Sequence, residues 1–272
     1  MRIMYREKMY DCGEYLNVFI FQVFQTGRYS GGKRVKRKPS TETQKKLNQR
    51  HREEKLTRLL NTNFTSEDLE IHLTYREEQP ESDEEATRNL RNYIRRIKRL
   101  RKKLGLPTLK YIAVTERGKR GGRYHHHITV NGGIDRDALE SMWEHGRANS
   151  RRLQFDEKGV AGLACYIVKS PVGGNAWTAS KNLTDPEPKR RDGRISGKKV
   201  QELAKSLESG EKFAKFERLY PGWLLSEAEA FHNDVNGGCY LVARFYKRGG
   251  KFIRPKQKPK RKQKRREGRK TE

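Results

Sequence analysis

The sequence has few cysteines and no long apolar segment. Its 272 residues include three cysteines, Cys12, Cys165 and Cys239, and their wide spacing matches neither a disulfide framework nor a zinc-binding pattern. We therefore expect a reducing, cytoplasmic environment. No run of about 18 apolar residues is present, so we expect no transmembrane helix. The apolar residues 15–24 are too short for a span and lack a signal-peptide cleavage pattern, so they are expected to form a strand.

A phosphate-binding loop of the Gly-x-x-x-x-Gly-Lys-Ser/Thr type is also missing, which argues against a fused P-loop helicase. Acidic residues are scarce: 34 Asp and Glu stand against 62 Lys and Arg, giving a formal net charge of +28. This excess predicts a polyanionic partner, with nucleic acid as the default. An anionic membrane surface is the competing partner, but no basic helix pattern has the strongly apolar face that it would require.

The most informative segment is a histidine-rich strand pattern at residues 123–130. Successive side chains of a strand point to opposite faces, so His125 and His127 share one face and His126 lies on the other. A preceding strand pattern ends at Glu116, and a glycine-containing loop connects the two. If the hairpin closes symmetrically, Glu116 lies opposite His125 with Cβ atoms roughly 5 Å apart. Strand geometry thus predicts a metal site of two histidines and one carboxylate, although a polar outer sheet face is the alternative.

A candidate nucleophile lies on the helix predicted for residues 160–169. Its apolar residues recur at i, i+3, i+4, i+7 and i+8, which is the pattern of one buried stripe. Tyr166 and Lys169 fall outside this stripe and are three residues apart, so they are neighbours on the exposed flank. An ammonium beside a phenol favours the phenolate or neutralises a phosphate. The alternative is that Tyr166 is only a packing residue at the rim of the core.

The order of predicted elements indicates an α+β fold. We expect strands at residues 69–75, 109–116 and 125–131, helices at 84–104 and 136–145, a short strand at 152–155 and then the tyrosine helix. This order is typical of an antiparallel sheet with helices on one face, as in the palm and RNA-recognition-motif architecture. The open face of that sheet would carry the metal and face the tyrosine helix.

The flanking segments differ in composition from this core. Residues 1–64 are interpreted as a basic N-terminal extension, with a strand near residues 16–24 and a basic helix over 41–61. Residues 65–185 form the predicted core. Residues 186–253 form an accessory segment with a helix over 198–211 and a strand over 239–246. Residues 254–272 are almost entirely Lys, Arg, Pro and Gln, which is typical of a disordered, DNA-attracting tail.

Several motifs together resemble the HUH endonucleases, specifically rolling-circle replication initiators of small bacterial plasmid-like elements related to those of microviruses and filamentous phages. His125-His126-His127 matches the strand motif of that family, except that His126 replaces a bulky apolar residue. Residues 166–169 match its Tyr-x-x-Lys motif, and residues 71–75 resemble its first motif. Glu116 occupies the place of the third metal ligand. The resemblance covers about residues 65–185.

The resemblance implies a chemistry. Mg²⁺ or Mn²⁺ held by His125, His127 and Glu116 would assist attack by Tyr166 on a single strand or origin hairpin. The products would be a 5′-phosphotyrosine and a free 3′-OH that primes rolling-circle DNA replication. Lys169 would position the phosphate or the phenolate. Ser170 follows Lys169, so a single-tyrosine enzyme is expected, working with a host helicase and polymerase.

Two alternatives remain open at the level of sequence. A plasmid-mobilisation relaxase or a single-tyrosine transposase would use the same fold on different DNA. A nucleic-acid-binding module without catalysis would also explain the charge, but its sheet would typically present stacked aromatic rings rather than histidine and glutamate.

Overall fold

The computed structural model describes residues 3–24, 42–118, 122–167, 176–208, 212–233 and 238–250. In chain order the elements are β1 (Ile3–Asp11), β2 (Tyr15–Phe24), α1 (Glu42–Asn63), β3 (Leu69–Tyr75), α2 (Asp83–Lys103), β4 (Tyr111–Arg117), β5 (Tyr124–Val130), α3 (Arg136–Ser141), β6 (Gly146–Arg152), α4 (Ala161–Ile167), β7 (Thr178–Ala179), β8 (Lys189–Asp192), α5 (Gly197–Ser206), α6 (Lys212–Leu219), β9 (Trp223–Asn233) and β10 (Gly238–Lys247). The described residues form two five-stranded antiparallel sheets.

The first sheet, called here the histidine sheet, has the strand order β6-β3-β5-β4-β7. The β4–β5 hairpin closes in the predicted register, with Glu116 opposite His125. On the other side of β5, His72 of β3 lies opposite His127. The α+β prediction with an antiparallel sheet is therefore confirmed, and the register decides which side chains can meet.

One face of the histidine sheet packs against α2 and α3. Alternate β3 residues, Ile71 and Leu73 among them, are fully buried beneath Tyr93 and Ile97 of α2. Each such side chain stabilises the fold by about 1.5–3 kcal/mol through removal of apolar surface from water. The predicted cap of α2 is present, because the Ser82 hydroxyl accepts a hydrogen bond from the Glu85 amide at 3.2 Å. This face is thus fully committed to the core.

The opposite face is not open along its whole length, contrary to the prediction of helices on one face only. Ile112 and Val114 of β4 pack there in a cluster with Leu60 of α1 and Ala164 of α4. The same cluster contains Tyr15 of β2. Apolar side chains on this face of β4 need a cover, and α1 and α4 supply it. The end that carries the histidines borders a cavity instead.

The second sheet, called here the composite sheet, has the order β8-β1-β2-β10-β9. It joins early and late parts of the chain, since β1 pairs with β8 and β2 pairs with β10. Its inner face packs against α5 and α6, where Phe216 and Phe245 are buried. The predicted boundaries at residues 64 and 185 stay a prediction, but strands from both flanking segments share this one sheet.

Two predicted elements differ from those in the structure. The strand expected at residues 152–155 lies instead at Gly146–Arg152, where it pairs with β3 although its sequence has few strand formers. Helix α3 ends at Ser141 rather than at residue 145. The strand begins at a glycine because a Cβ at Gly146 would overlap the Thr74 carbonyl oxygen. The predicted tail at 254–272 and Lys169 lie outside the described residues.

Within the described part of the chain, no helix has the length and apolarity needed to cross a bilayer.

Candidate functional site

Three histidines on two neighbouring strands form the centre of the site. His72 projects from β3, and His125 and His127 project from β5, all toward the face opposite α2. Their ligand nitrogens lie within 4.8 Å of one another. The His72 and His127 rings stack, with centroids 4.6 Å apart. Strand pairing alone produces this cluster, since directly opposed side chains on one sheet face are near neighbours.

Glu116 reaches the same cluster from β4. Its Oε2 lies 3.1 Å from Nε2 of His125 and 3.9 Å from Nε2 of His127. The predicted trio of Glu116, His125 and His127 is therefore brought together. A carboxylate and imidazoles are suitable ligands for a divalent transition metal.

The environment of His127 supports a metal-binding role. His127 is 3% exposed, and neither of its ring nitrogens has a hydrogen-bond partner among the described residues. Buried polar side-chain atoms are nearly always paired, so such a group requires an explanation. A coordinated cation would satisfy one nitrogen. We conclude that the residues present fit a metal ion.

His72 is held in the form that a metal ligand requires. Burial, reinforced by the neighbouring His127 and His125, lowers the pKa of His72 to about 4. The ring is therefore neutral near pH 7 and has a free nitrogen lone pair.

Glu70 stands behind His127 on the same face of β3. Its Oε1 lies 3.5 Å from Nδ1 of His127, and its Oε2 accepts a hydrogen bond from Nε of Arg151 at 2.6 Å. Burial alone would raise the pKa of Glu70, but His127 and Arg151 outweigh it and hold that pKa below its usual range. A carboxylate behind a metal-ligating histidine orients the ring and increases its basicity.

His126 lies on the other face, as strand alternation predicts. It is fully buried, and its two ring nitrogens are 2.9 Å from the Tyr75 hydroxyl and 2.9 Å from the Thr115 hydroxyl. Burial lowers the pKa of His126 to about 3. His126 is therefore a neutral, packed core residue.

Tyr166 lies beside the histidines. Helix α4 buries Ala164 and Ile167 and leaves the Tyr166 side chain 51% exposed. Its ring meets the His127 ring edge to face, with centroids 5.3 Å apart. Tyr166 and His127 line one cavity of about 350 Å³. The cavity is also lined by Glu70, His72, Asn149 and Arg151. Lys169, the predicted partner of Tyr166, lies outside the described residues.

The sequence interpretation missed His72, Glu70 and Arg151. The signal was present in part, because Glu70 and His72 alternate along β3 just as His125 and His127 alternate along β5. What was missing was the pairing of β3 with β5 and β6, which places the three residues on the same face.

Residues 68–171 match the profile of a family of replication-associated proteins, the one described by its ORF2 and gene 2 protein members. Comparisons with curated proteins and with solved structures gave no significant match. The matched segment is less than half of the chain, but it extends from β3 through α4 and contains every residue of the site. This segment belongs to a family of rolling-circle replication initiators of phage and plasmid type, and the resemblance seen in the sequence is confirmed.

Proposed function

We propose that the protein nicks and rejoins single-stranded DNA with Tyr166 as nucleophile and thereby initiates rolling-circle replication. The observation that carries this proposal is the position of Tyr166, half exposed and lining the same cavity as His72 and His127. The family match supports DNA as the partner. The formal charge of +28 agrees with it.

His72, His125, His127 and Glu116 are the residues that would hold the metal ion. When bound, a divalent cation polarises the scissile phosphate and offsets the negative charge that develops on it. Of the two ions suggested by the sequence, Mn²⁺ suits a site with three imidazoles better than Mg²⁺, which prefers oxygen ligands. Glu70 would fix the orientation of His127 within this site.

In the proposed reaction, the Tyr166 oxygen forms a bond to phosphorus and the bond from phosphorus to the 3′ oxygen breaks. The phenol gives up its proton and the departing 3′ oxygen takes one up. The phosphate stays on Tyr166 as a 5′-phosphotyrosine, which conserves the energy needed for rejoining. Attack by a later 3′-OH on that phosphotyrosine reverses these bond changes and releases Tyr166.

Arg151 is suited to hold the phosphate before attack. One guanidinium nitrogen is bonded to Glu70, and the side chain, 66% exposed, lines the cavity beside Tyr166. Guanidinium donors that remain free match the geometry of phosphate oxygens. We propose that the Glu70–Arg151 pair links the ligand shell to the substrate phosphate.

The test uses Tyr166→Phe, which removes one oxygen and leaves the ring in place. The wild type and the variant are incubated with Mn²⁺ and a pool of single-stranded oligonucleotides of randomised sequence, and covalent adducts are resolved on denaturing gels. We expect an adduct with the wild type and none with Tyr166→Phe, while both bind Mn²⁺ equally. Sequencing the attached DNA would then define the nick site.

Tyr124→Phe is the matched control. Tyr124 precedes His125 in sequence, but it is 3% exposed, faces the α2 side of the sheet and donates a hydrogen bond to Asp83. It cannot reach the cavity, so the variant should form the adduct normally. An adduct that persists in Tyr166→Phe would exclude Tyr166 as the nucleophile, and a wild type that binds DNA without ever cleaving it would indicate a binding module.

A further inference from the structure

The outer face of the composite sheet, opposite α5 and α6, carries a groove rich in aromatic rings. Strand alternation places rings from four strands there. They are Tyr10, Phe19, Phe21, Phe231 and Tyr240, called here the aromatic groove. Tyr240 is the hub, with its ring centroid 6.2 Å from that of Phe21 and 6.1 Å from that of Phe231. All of these rings except Phe231 line a cavity of about 230 Å³.

Cations line the same groove. The Arg58 guanidinium carbon is 4.1 Å from the centroid of the Tyr10 ring, and Lys8 Nζ is 5.0 Å from it. Among the described residues, neither Lys8 nor Arg58 forms an ion pair, and Nε of Arg58 is buried without a hydrogen-bond partner. At the other end of the groove, the Arg50 guanidinium carbon lies 4.2 Å from the Phe231 centroid.

The carboxylate that lines the groove does not cancel this charge. Glu54 is 6% exposed, and its Oε1 lies 3.4 Å from Arg50 and 3.8 Å from Arg244. Its negative charge is thus neutralised by partners other than Lys8 and Arg58. The groove combines aromatic faces with positive charge that is available to an incoming anion.

This chemistry fits one class of ligand. Single strands bind where bases stack on aromatic side chains and phosphates meet cations, whereas the stacked, paired bases of a duplex are not available to such rings. We propose that the aromatic groove is a second binding surface for single-stranded DNA, separate from the histidine site. Its binding does not require cleavage, so the inference stands apart from the proposed function.

Shared lining residues connect the groove to the candidate nucleophile. Glu54 lines both the groove and an adjoining cavity of about 930 Å³, which extends between α1, α4 and strands β9 and β10. Gly162 of α4 lines that cavity and also a smaller one that includes Tyr166. A strand held in the groove therefore has a path across α4 toward Tyr166.

The experiment measures binding of a labelled oligothymidylate by fluorescence anisotropy, using the full chain with Tyr166→Phe and EDTA so that neither cleavage nor metal contributes. Combining Phe21→Leu with Phe231→Leu should weaken binding by about tenfold or more, because each stacked base is lost with its ring. The matched control is Phe213→Leu on α6. Phe213 is also exposed, at 46%, and also has a lysine over its ring, but it lies outside the groove. The control should leave the affinity unchanged.

Phe231→Leu alone guards against a folding defect, since its ring is 37% exposed. A measurable loss of affinity in this variant, with an unchanged thermal melt, supports the proposal. Fluorescence of 2-aminopurine in the oligonucleotide should be quenched by the wild type and not by the double variant. Equal losses in Phe213→Leu, equal affinity for the matched duplex, or tighter binding of the matched RNA would each overturn it. None of these outcomes depends on whether Tyr166 is a nucleophile.

Discussion

At the scale of single residues, adjacent histidines of one strand have opposite roles. His125 and His127 point to the cavity, while His126 is enclosed by the Tyr75 and Thr115 hydroxyls. The identity of the side chain does not distinguish them. The face of the strand does, because it decides whether the ring nitrogens meet hydroxyl partners or other imidazoles.

This difference predicts the result of substituting each histidine. We expect His72→Ala, His125→Ala or His127→Ala to weaken Mn²⁺ binding by more than about 100-fold, since each removes a ligand rather than an outer partner. Isothermal titration calorimetry would measure it. His126→Leu is the control: it should bind Mn²⁺ normally but lose about 1–3 kcal/mol of stability, because two buried hydroxyls lose their partner. Equal loss of metal binding in all four variants would contradict the assignment of faces.

A second prediction concerns Glu70, which contacts His127 without being among the proposed ligands. Glu70→Gln keeps the size of the side chain but removes the charge behind the ring. Metal affinity should fall by about 10–100-fold, the range found for partners of ligating histidines. Glu67→Gln is the matched control, because Glu67 also pairs with an arginine of β6 but is exposed and distant in register from the histidines. If both variants bind Mn²⁺ like the wild type, Glu70 does not orient His127.

The sequence was sufficient for the residues that one hairpin brings together. Glu116, His125 and His127 follow from alternation and a single loop, and Tyr166 follows from helical periodicity. His72 and Arg151 could not be predicted in the same way, since their positions depend on how β3 pairs with β5 and β6. That pairing is set by burial on the α2 face, where Ile71 and Leu73 must meet the core.

At the scale of elements, the last turn of α2 contains an arginine that the sequence places on the solvated face. Arg101 is instead 3% exposed. Its guanidinium donates hydrogen bonds to the carbonyl oxygens of Pro107, Asn131 and Gly132, at 2.7, 3.0 and 2.8 Å. It thus connects the end of α2 to the segments just before β4 and just after β5.

We therefore predict that Arg101→Met destabilises the protein by about 3 kcal/mol, because three carbonyl oxygens lose a charged donor. Arg99→Met, on the exposed face of the same turn, should change the free energy of unfolding by less than about 0.5 kcal/mol. Urea denaturation followed by circular dichroism would compare them. Similar midpoints for the two variants would show that the buried hydrogen bonds of Arg101 contribute little.

Local sequence predicts elements well where periodicity and caps agree, and poorly where pairing creates the element. The Ser82 cap and apolar stripe identify α2 almost to the residue. Strand β6 is different, because Gly146–Arg152 contains mainly small and charged residues. It is a strand only because β3 offers a free edge, so tertiary context overrides propensity.

At the scale of the whole molecule, the composite sheet is the largest feature that the sequence did not reveal. Its strand pairs β1–β8 and β2–β10 join residues far apart in the chain. No local pattern encodes such a partner, and the basic composition of both flanking segments suggested solvated extensions. Helix α1 then packs between the sheets, with Leu60 toward the histidine sheet and Arg58 toward the composite sheet.

The distribution of charge over the molecule leads to the last prediction. The segment 254–272, rich in Lys and Arg, follows the last described strand. Affinity for single strands falls with salt in proportion to the phosphates neutralised, with a log–log slope of about −0.7 per contact. A chain ending at residue 253 should therefore show a flatter slope than the full chain, while the adduct at Tyr166 still forms. An unchanged slope would mean that the segment does not contact DNA. Loss of the adduct would mean that these residues contribute to the catalytic fold.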